Sequence, residues 1–429
     1  MKVVTPDELG EGLWGAATME EIPAVREILS EVRDRGDEAI REYTLRFDGV
    51  RSSDFRVEAE DTERAYGQLS PQAVSAMEQA AEHIQRFAEK QKEQLTDFEY
   101  NMQPGVFVGQ RVVAIDRVGV YAPGGRFPLP TSVLMCAVPA RVAGVREIVL
   151  CSPPSCGGTI HPTILAAARI AGVGEVYSIG GAQAIAALAY GSETVLPVDK
   201  IVGPGNRFVA EAKRQVFGTV GIDFVAGPSE ILILADESAC PRLVAADLLA
   251  QAEHDSDAVC VLVTTSAELA KSVGEEVERQ TAELGRTVMA GASLCGDLIT
   301  VVAQSMDEAI DLVNKRSPEH LELQLADVGD RVDRLTNYGS LFVGPYSAVA
   351  LGDYSSGLNH TLPTNRSARY TGGLSVMDFL KVQTTLRVER TGIESIGPTA
   401  QHLAELEGLA AHARSVEIRL NSRQGGGHE

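Results

Sequence analysis

Aromatic side chains are scarce in this sequence: one Trp, ten Tyr and eleven Phe make up 5% of its 429 residues. Its core must therefore rest on aliphatic packing. Basic residues are also few beside acidic ones, 38 against 59, which leaves a formal net charge of -21. Such an excess favours solubility and repels polyanions. No Lys/Arg cluster stands out that could displace phosphate counterions. Nucleic acids and anionic membrane surfaces are poor partners on both grounds. No apolar run approaches the roughly 18 residues of a membrane span, and Met1-Lys2-Val3-Val4-Thr5-Pro6-Asp7 lacks the apolar stretch of a signal peptide. Cys136, Cys151, Cys156, Cys240, Cys260 and Cys295 form no CxxC pair. Most sit in strand-like runs such as Val259-Cys260-Val261-Leu262 and read as buried, reduced thiols. A cytoplasmic location is expected on that basis. The closing Gly425-Gly426-Gly427-His428-Glu429 reads as a frayed tail in which His428 has no role.

What is present is ordinary globular material, 44% hydrophobic and 23% charged. The length allows two or three domains. Residues 18–98 read as mostly helical, with apolar residues at three- and four-residue spacing in Val25, Ile28, Leu29 and Val32, and again in Met77, Ala80, Ile84 and Phe87. Residues 106–120 turn β-rich. Strand–helix alternation follows: strands at Glu147–Cys151 and Glu175–Ile179 with helices at Ile164–Ile170 and Ala182–Tyr190. It recurs with strands at Ile231–Ala235 and Val259–Val263 and helices at Leu243–Ala252 and Ala267–Leu284. Two such segments suggest two related α/β lobes with parallel sheets. From about Val388 a strand, a helix over Pro398–Ala413 and a last strand over Val416–Leu420 read as a small appendage.

The histidines are the natural place to look for chemistry. His83, His161 and His402 read as solvated or helix-capping residues. Four others have polar company. Gln251 and His254, at i and i+3, share one face if helical, and imidazole is a common zinc ligand while a glutamine oxygen is a poor one. Glu319-His320 puts a carboxylate beside an imidazole, the pair best suited to proton transfer near neutral pH. The same run, Ser317-Pro318-Glu319, equally reads as a helix start with Ser317 as N-cap. Asp353 and His360 lie in a glycine-punctuated polar loop, and Glu407 and His412 flank apolar residues near the C-terminus. No HExxH or paired CxxC is present. Gln251, His254, Asp353 and His412 would make one N/O site only if the fold gathers them. Dinucleotide signals are weak too: Gly203-Pro204-Gly205-Asn206 lacks the third glycine of GxGxxG, and Ala226–Glu230 is turn-like.

Taken together, these segments resemble the histidinol dehydrogenase family. The resemblance is carried, in the family's order, by VGVYAPGG (118–125), SVLMCAVPARVAG (132–144), GGAQAIAALAYG (180–191), VDKIVGPGNRFV (198–209), IDFVAGPSE (222–230), QAEHD (251–255), PEHLE (318–322), GDYSSGLNHTLPT (352–364) and GLAAH (408–412). It implies two Rossmann-like α/β lobes, an internal duplication, with small N- and C-terminal segments used in dimerisation. The implied division is an arm at 1–17, a first lobe of 18–120 and 230–372, an inserted NAD-side lobe at 121–229, and an appendage at 373–429 that reaches a partner's site. It implies one zinc per subunit, held by Gln251, His254, Asp353 and His412, which anchors substrate rather than activating the alcohol. His320 matches the general base and Glu319 the residue that activates water. Ser229, His360 and Glu407 match substrate contacts, joined by the zinc ligands and His320. Tyr121, Gln183 and Asn206 match NAD contacts. The implied reaction is the NAD-dependent oxidation of L-histidinol through the aldehyde to L-histidine, in a homodimer. The alternative is a paralogue that oxidises another small polar alcohol, such as a sulfonated diol. Arg126, Cys136 and Ser317 depart from the side chains expected at their positions, and none is a matched ligand.

Overall fold

The structure is a computed structural model and describes residues 2–6, 21–51, 54–124, 128–155, 158–253, 257–289 and 298–422. The chain opens with β1 (Lys2–Val4), α1 (Pro23–Arg35), α2 (Asp37–Asp48), β2 (Arg56–Val57), α3 (Ala59–Gln68) and α4 (Pro71–Lys92). Val25, Ile28, Leu29 and Val32 form the buried stripe of α1, as their spacing requires. An antiparallel pair follows, β3 (Phe98–Gln103) and β4 (Val106–Ala114).

The first α/β series runs β5 (Arg117–Tyr121), α5 (Pro130–Ala143), β6 (Glu147–Ser152), α6 (Pro162–Ala171), β7 (Glu175–Ser178), α7 (Gly181–Tyr190), β8 (Lys200–Val202), α8 (Arg207–Val216) and β9 (Gly221–Ile222). Caps set several of these boundaries. His161 Nδ1 accepts the Thr163 N–H at 3.3 Å to start α6, which ends in a left-handed Gly172 at φ 78°. The second series runs β10 (Glu230–Ala235), α9 (Pro241–Ala252), β11 (Val259–Thr264), α10 (Ala267–Met289), β12 (Leu298–Val302), α11 (Met306–Arg316), β13 (His320–Gln324), α12 (Arg331–Arg334), β14 (Ser340–Val343) and α13 (Val349–Tyr354).

The two sheets have the same strand order, though the outer strand β1 runs parallel to its neighbour and β2 antiparallel. One is ordered β2-β7-β6-β5-β8-β9 and the other β1-β12-β11-β10-β13-β14. Within each series the strands lie in the order third, second, first, fourth, fifth, all parallel, and one earlier strand is added beyond the third. This is the doubly wound order, with a topological switch point between the first and fourth strands.

The lobe boundary differs from the division read in sequence. That division assigns residues 18–120 to the lobe of 230–372. The structure instead pairs β5 with both β6 and β8, so Arg117–Tyr121 is the first strand of the other lobe. Ile40 and Tyr43 of α2, with the stripe of α1, share a core with Tyr177, Ile185 and Leu188 of that same lobe. Of the expected arm, Lys2–Val4 forms an edge strand beside β12, and residues 1 and 7–17 lie outside the described residues.

The chain divides into two compact units, one of Met1–Lys90 with Ile115–Phe379, the other of Gln91–Ala114 with Leu380–Glu429. The appendage therefore begins at Leu380 rather than 373 and takes β3 and β4 with it. In the second unit β15 (Leu380–Val388) joins β4 and β3 in an antiparallel sheet ordered β15-β4-β3. α14 (Arg390–Leu406) and α15 (Ala410–Asn421) follow and pack on each other. The strand expected at Val416–Leu420 is thus part of a helix. Its alternation of Val416, Ile418 and Leu420 is a local period of two, but Gly408 at φ 76° turns the chain back so that this segment packs along α14. Among the described residues no helix is long and apolar enough to cross a membrane. Cys136, Cys151 and Cys260 are buried and outside any disulfide, as expected, Cys240 is exposed, and Cys156 and Cys295 lie outside the described residues.

Candidate active site

Glu319 and His320 do not start a helix. Ser317 is the C-cap of α11, in the left-handed region at φ 54°, and its hydroxyl donates to the Asn314 carbonyl at 2.7 Å. The chain leaves that cap directly into β13, so His320 becomes the first residue of a buried strand. The N-cap expectation fails because the helix lies before Ser317, not after it.

β10 and β13 are neighbours, with Ile231 opposite His320. This register brings the Glu230 backbone to both functional side chains. The Glu230 N–H donates to Glu319 Oε2 at 2.8 Å, and His320 Nδ1 lies 3.1 Å from the Glu230 carbonyl. A carbonyl only accepts, so Nδ1 carries a proton in either charge state, and Nε2 is the nitrogen that gains or loses one. Nε2 is buried without a hydrogen-bond partner and lies 3.5 Å from Asp353 Oδ1. Burial acts to lower the His320 pKa, but Glu319 and Asp353 on either side outweigh it and push it up to about 10. A cation held at Asp353 would cancel that carboxylate's share of the rise and favour the free base.

Glu230 is itself anchored. Its side chain is 2% exposed, forms an ion pair with Arg316 at the end of α11, and accepts the Asn365 N–H at 3.0 Å through Oε1. Burial pushes its carboxyl up to about 7, against the pull of Arg316. Neither Glu230 nor Arg316 is singled out by sequence reading. Glu230 ends a stretch that looks like a plain turn, and Arg316 looks like a surface helix end.

Asp353 sits in the six-residue helix α13 rather than in an irregular loop. His360 Nδ1 lies 3.0 Å from the Asp353 carbonyl, and its Nε2 lies 3.4 Å from Ser132 Oγ. Burial lowers the pKa of His360, so the neutral ring donates to Asp353 and accepts from Ser132. His83 Nδ1 meets the Ser355 carbonyl at 2.6 Å and ties down the end of α13. The neighbour of Asp353, Gly352, rides on the Phe342 ring. A Cβ there would lie 2.5 Å from Phe342 Cε1, and the same ring is 6.1 Å from the His320 ring. Gly352→Ala is therefore expected to destabilise the protein by about 1–3 kcal/mol, as overpacking does. Denaturant titration measures this, and adding Phe342→Leu should restore part of the loss.

The expected zinc ligands are gathered only in part. Gln251 is 3% exposed near the end of α9, which packs on α13, and its amide Nε2 has no partner. Nitrogen and oxygen of an amide are interchangeable by a flip, which would put a carbonyl oxygen at that unsatisfied position. A buried amide and a carboxylate suit a borderline cation that takes N and O ligands. His254 lies outside the described residues. His412, in the first turn of α15, and Glu407, the C-cap of α14, are exposed residues of the second unit. Among the described residues no three His, Cys, Asp or Glu are grouped as a metal site. Of the expected four ligands, one is an amide, one lies outside that set and one belongs to the other unit. Ser229, half-buried, directly precedes Glu230. His402 is 4.0 Å from Glu405 on the surface of α14, and His161 caps α6.

The expected NAD contacts mark the carboxyl edge of the other sheet. Tyr121 ends β5, and its buried hydroxyl accepts the Gly181 N–H at 3.1 Å at the start of α7. Gln183 is 1% exposed and neither atom of its amide has a partner. Asn206 spends its Oδ1 on capping α8, accepting from Phe208 and Val209 at 3.0 and 3.1 Å. Gly203 closes on β5 so tightly that a Cβ would lie 2.2 Å from the Tyr121 carbonyl, and its φ of 113° also favours glycine. This is the switch point between β5 and β8, the usual ligand crevice of such sheets. Of the departures, Cys136 is buried with Sγ 3.9 Å from Thr361 Oγ1, and Arg126 lies outside the described residues.

Fold and site thus define a two-lobed, doubly wound α/β protein with an imidazole–carboxylate centre at the amino edge of one sheet and a topological switch point at the carboxyl edge of the other. The family model for histidinol dehydrogenase matches residues 16–420. The chain belongs to that family. It is 49% identical to the histidinol dehydrogenase of Agrobacterium fabrum over 399 residues, 92% of each chain. It is 47% identical to that of Geobacillus kaustophilus over 405 residues, 94% of this chain and 95% of the other. The solved histidinol dehydrogenase of Elizabethkingia anophelis aligns with a TM-score of 0.92 at 36% identity, covering 98% of both chains.

Proposed function

We propose that this chain is a histidinol dehydrogenase, oxidising L-histidinol through L-histidinaldehyde to L-histidine with NAD, the last steps of histidine biosynthesis. The observation that carries the reading is the Glu319–His320 pair held by one backbone unit of Glu230 in a chain of this family. His320 Nε2 takes the proton of the alcohol and then that of the hydrated aldehyde. Glu319, its neighbour, orients and deprotonates the water that makes the hydrate. Ser229, His360 and Glu407 contact the substrate, and the Glu407 carboxylate suits an ammonium or imidazole group. Gln251, His254, Asp353 and His412 are the zinc-holding set. Zinc, when bound, supplies a fixed electrophilic anchor for the substrate's amino and imidazole nitrogens. Tyr121, Gln183 and Asn206 line the NAD crevice, and NAD accepts the hydride of each oxidation. A cytoplasmic setting fits thiols outside any disulfide.

The assembly is a homodimer in which Glu407 and His412 serve the partner's site. Support comes from the second unit itself, whose sheet leaves apolar side chains exposed. Tyr100, Val108 and Leu386 lie in one register row, flanked by exposed Phe98, Met102 and Val382. A contiguous patch of that kind marks an association surface.

Purified protein should reduce about two NAD per L-histidinol, one for each two-electron step, and a chelator should abolish turnover. No NADH with histidinol, but turnover of another alcohol, would overturn the reading. Mixing inactive His320→Asn and His412→Asn dimers should restore activity after subunit exchange. No recovery despite demonstrated exchange would sink the shared site.

A further inference from the structure

Alternate residues of a strand face the same way, so His320, Glu322 and Gln324 share one face of β13. That face is otherwise apolar, packed with Ile233, Leu248, Leu249 and Phe342. Glu322 sits in the middle of it, 0% exposed, opposite Ile233 on β10 and Phe342 on β14. Its Oε1 accepts from Gln324 Nε2 at 2.5 Å, while Oε2 meets no N–H or O–H donor. The carboxyl of Asp247, on α9, lies within hydrogen-bonding reach of Glu322. Two carboxylates bond each other only when one carries a proton, and burial drives both toward the protonated form.

Asp247 lies one helical turn before Gln251 on α9, so both project from the same side of the helix. Val244, Leu248 and Leu249 of α9 share an apolar core with Ile231, Ile233 and Leu262 of the sheet, and such contacts are non-directional. They hold the helix down without fixing how far it slides or turns. An apolar pair in place of the buried Glu322 and half-buried Asp247 carboxyls would be as stable or more so, so stability does not account for them.

We propose that Asp247 and Glu322 form a proton-sharing strut that fixes α9 against β13 and thereby sets Gln251 relative to His320. Both are positioning residues, since neither reaches the reacting atoms. The proposal deepens the zinc-site reading and rests on it for the role of Gln251.

The test compares Asp247→Asn with Asp247→Leu in the full-length, zinc-loaded protein. The amide can donate to the Glu322 carboxylate and preserves both the bond and its single negative charge. Leucine removes the bond and leaves Glu322, protonated, on Gln324. Asp247→Leu should release zinc to a chelator about 10-fold faster, the scale of outer-shell effects on metal sites. It should also raise KM for L-histidinol with a melting temperature equal to or above the parent's. Asp247→Asn should stay near the parent in all three. Parent-like zinc release and KM in Asp247→Leu overturn the strut. A second measurement needs no loss of function. The infrared difference between the parent and Asp247→Asn/Glu322→Gln at neutral pH should contain a protonated-carboxyl band, and its absence overturns the shared proton. If the parent holds no zinc and turns over no histidinol, the functional reading falls, while the infrared arm still decides the strut.

Discussion

His320→Asn should lower L-histidinol turnover by about 10²–10⁴, the usual contribution of a positioned general base. The substitution is chosen for what it keeps. The asparagine Nδ2 can take the place of Nδ1 and donate to the Glu230 carbonyl, now met at 3.1 Å, so the link between β10 and β13 survives. What disappears is Nε2, the buried nitrogen without a hydrogen-bond partner that faces Asp353. Zinc content and melting temperature should therefore stay close to the parent's while kcat falls. A parallel loss of zinc would mean that His320 acts through the metal site rather than as the base. Glu319→Gln makes the complementary case. Its amide oxygen can still accept the Glu230 N–H, now 2.8 Å from Oε2, but the amide cannot deprotonate water. The first oxidation should persist and the second slow, so the NADH yield per histidinol should drop from about two toward one, with aldehyde trapped by a carbonyl reagent. A yield unchanged at two would remove Glu319 from the water step.

Much of the scaffold is legible in the sequence because its signals are local. The runs Ile231–Ala235 and Val259–Val263 are continuous and apolar because both faces of a parallel strand are covered. The helices betray themselves by spacing and by caps such as His161 and Gly172. Local pattern misleads where tertiary partners decide. Ser317-Pro318-Glu319 has every mark of a helix start, yet Ser317 closes the preceding helix. Val416–Leu420 alternates like a strand, yet it packs as helix against α14. The lobe boundary is illegible for the same reason: only pairing shows that Arg117–Tyr121 belongs with β6 and β8. For the site, side-chain chemistry gives separate polar clusters, and family resemblance gives their grouping. Neither shows that the backbone of Glu230 holds the Glu319–His320 pair, because a peptide group has no signature in sequence.

Arg316→Met should destabilise the protein by about 3–5 kcal/mol, the cost of removing one partner of a buried ion pair. Arg316 is 6% exposed and Glu230 is 2% exposed, so water cannot replace the lost guanidinium. The size of the loss should depend on pH. Burial already pushes the Glu230 carboxyl up to about 7 with Arg316 opposing it, and without Arg316 it must rise further. Unfolded, the same group titrates near its ordinary value of about 4.3. Between the unfolded and folded values, the folded state binds a proton that the unfolded state does not, so stability falls as pH rises through that window. In the variant the window extends higher, so the gap from the parent should be small near about pH 5 and widen above about pH 7. Denaturant titrations at both ends of that range measure it. Adding Glu230→Gln removes the stranded charge, keeps a carbonyl oxygen for the Asn365 N–H, and should recover most of the loss at high pH. Because the Glu230 backbone orients both Glu319 and His320, the double variant should recover kcat along with stability. Recovered stability without recovered kcat would show that the Arg316 guanidinium itself is needed to hold the Glu230 backbone in its working position.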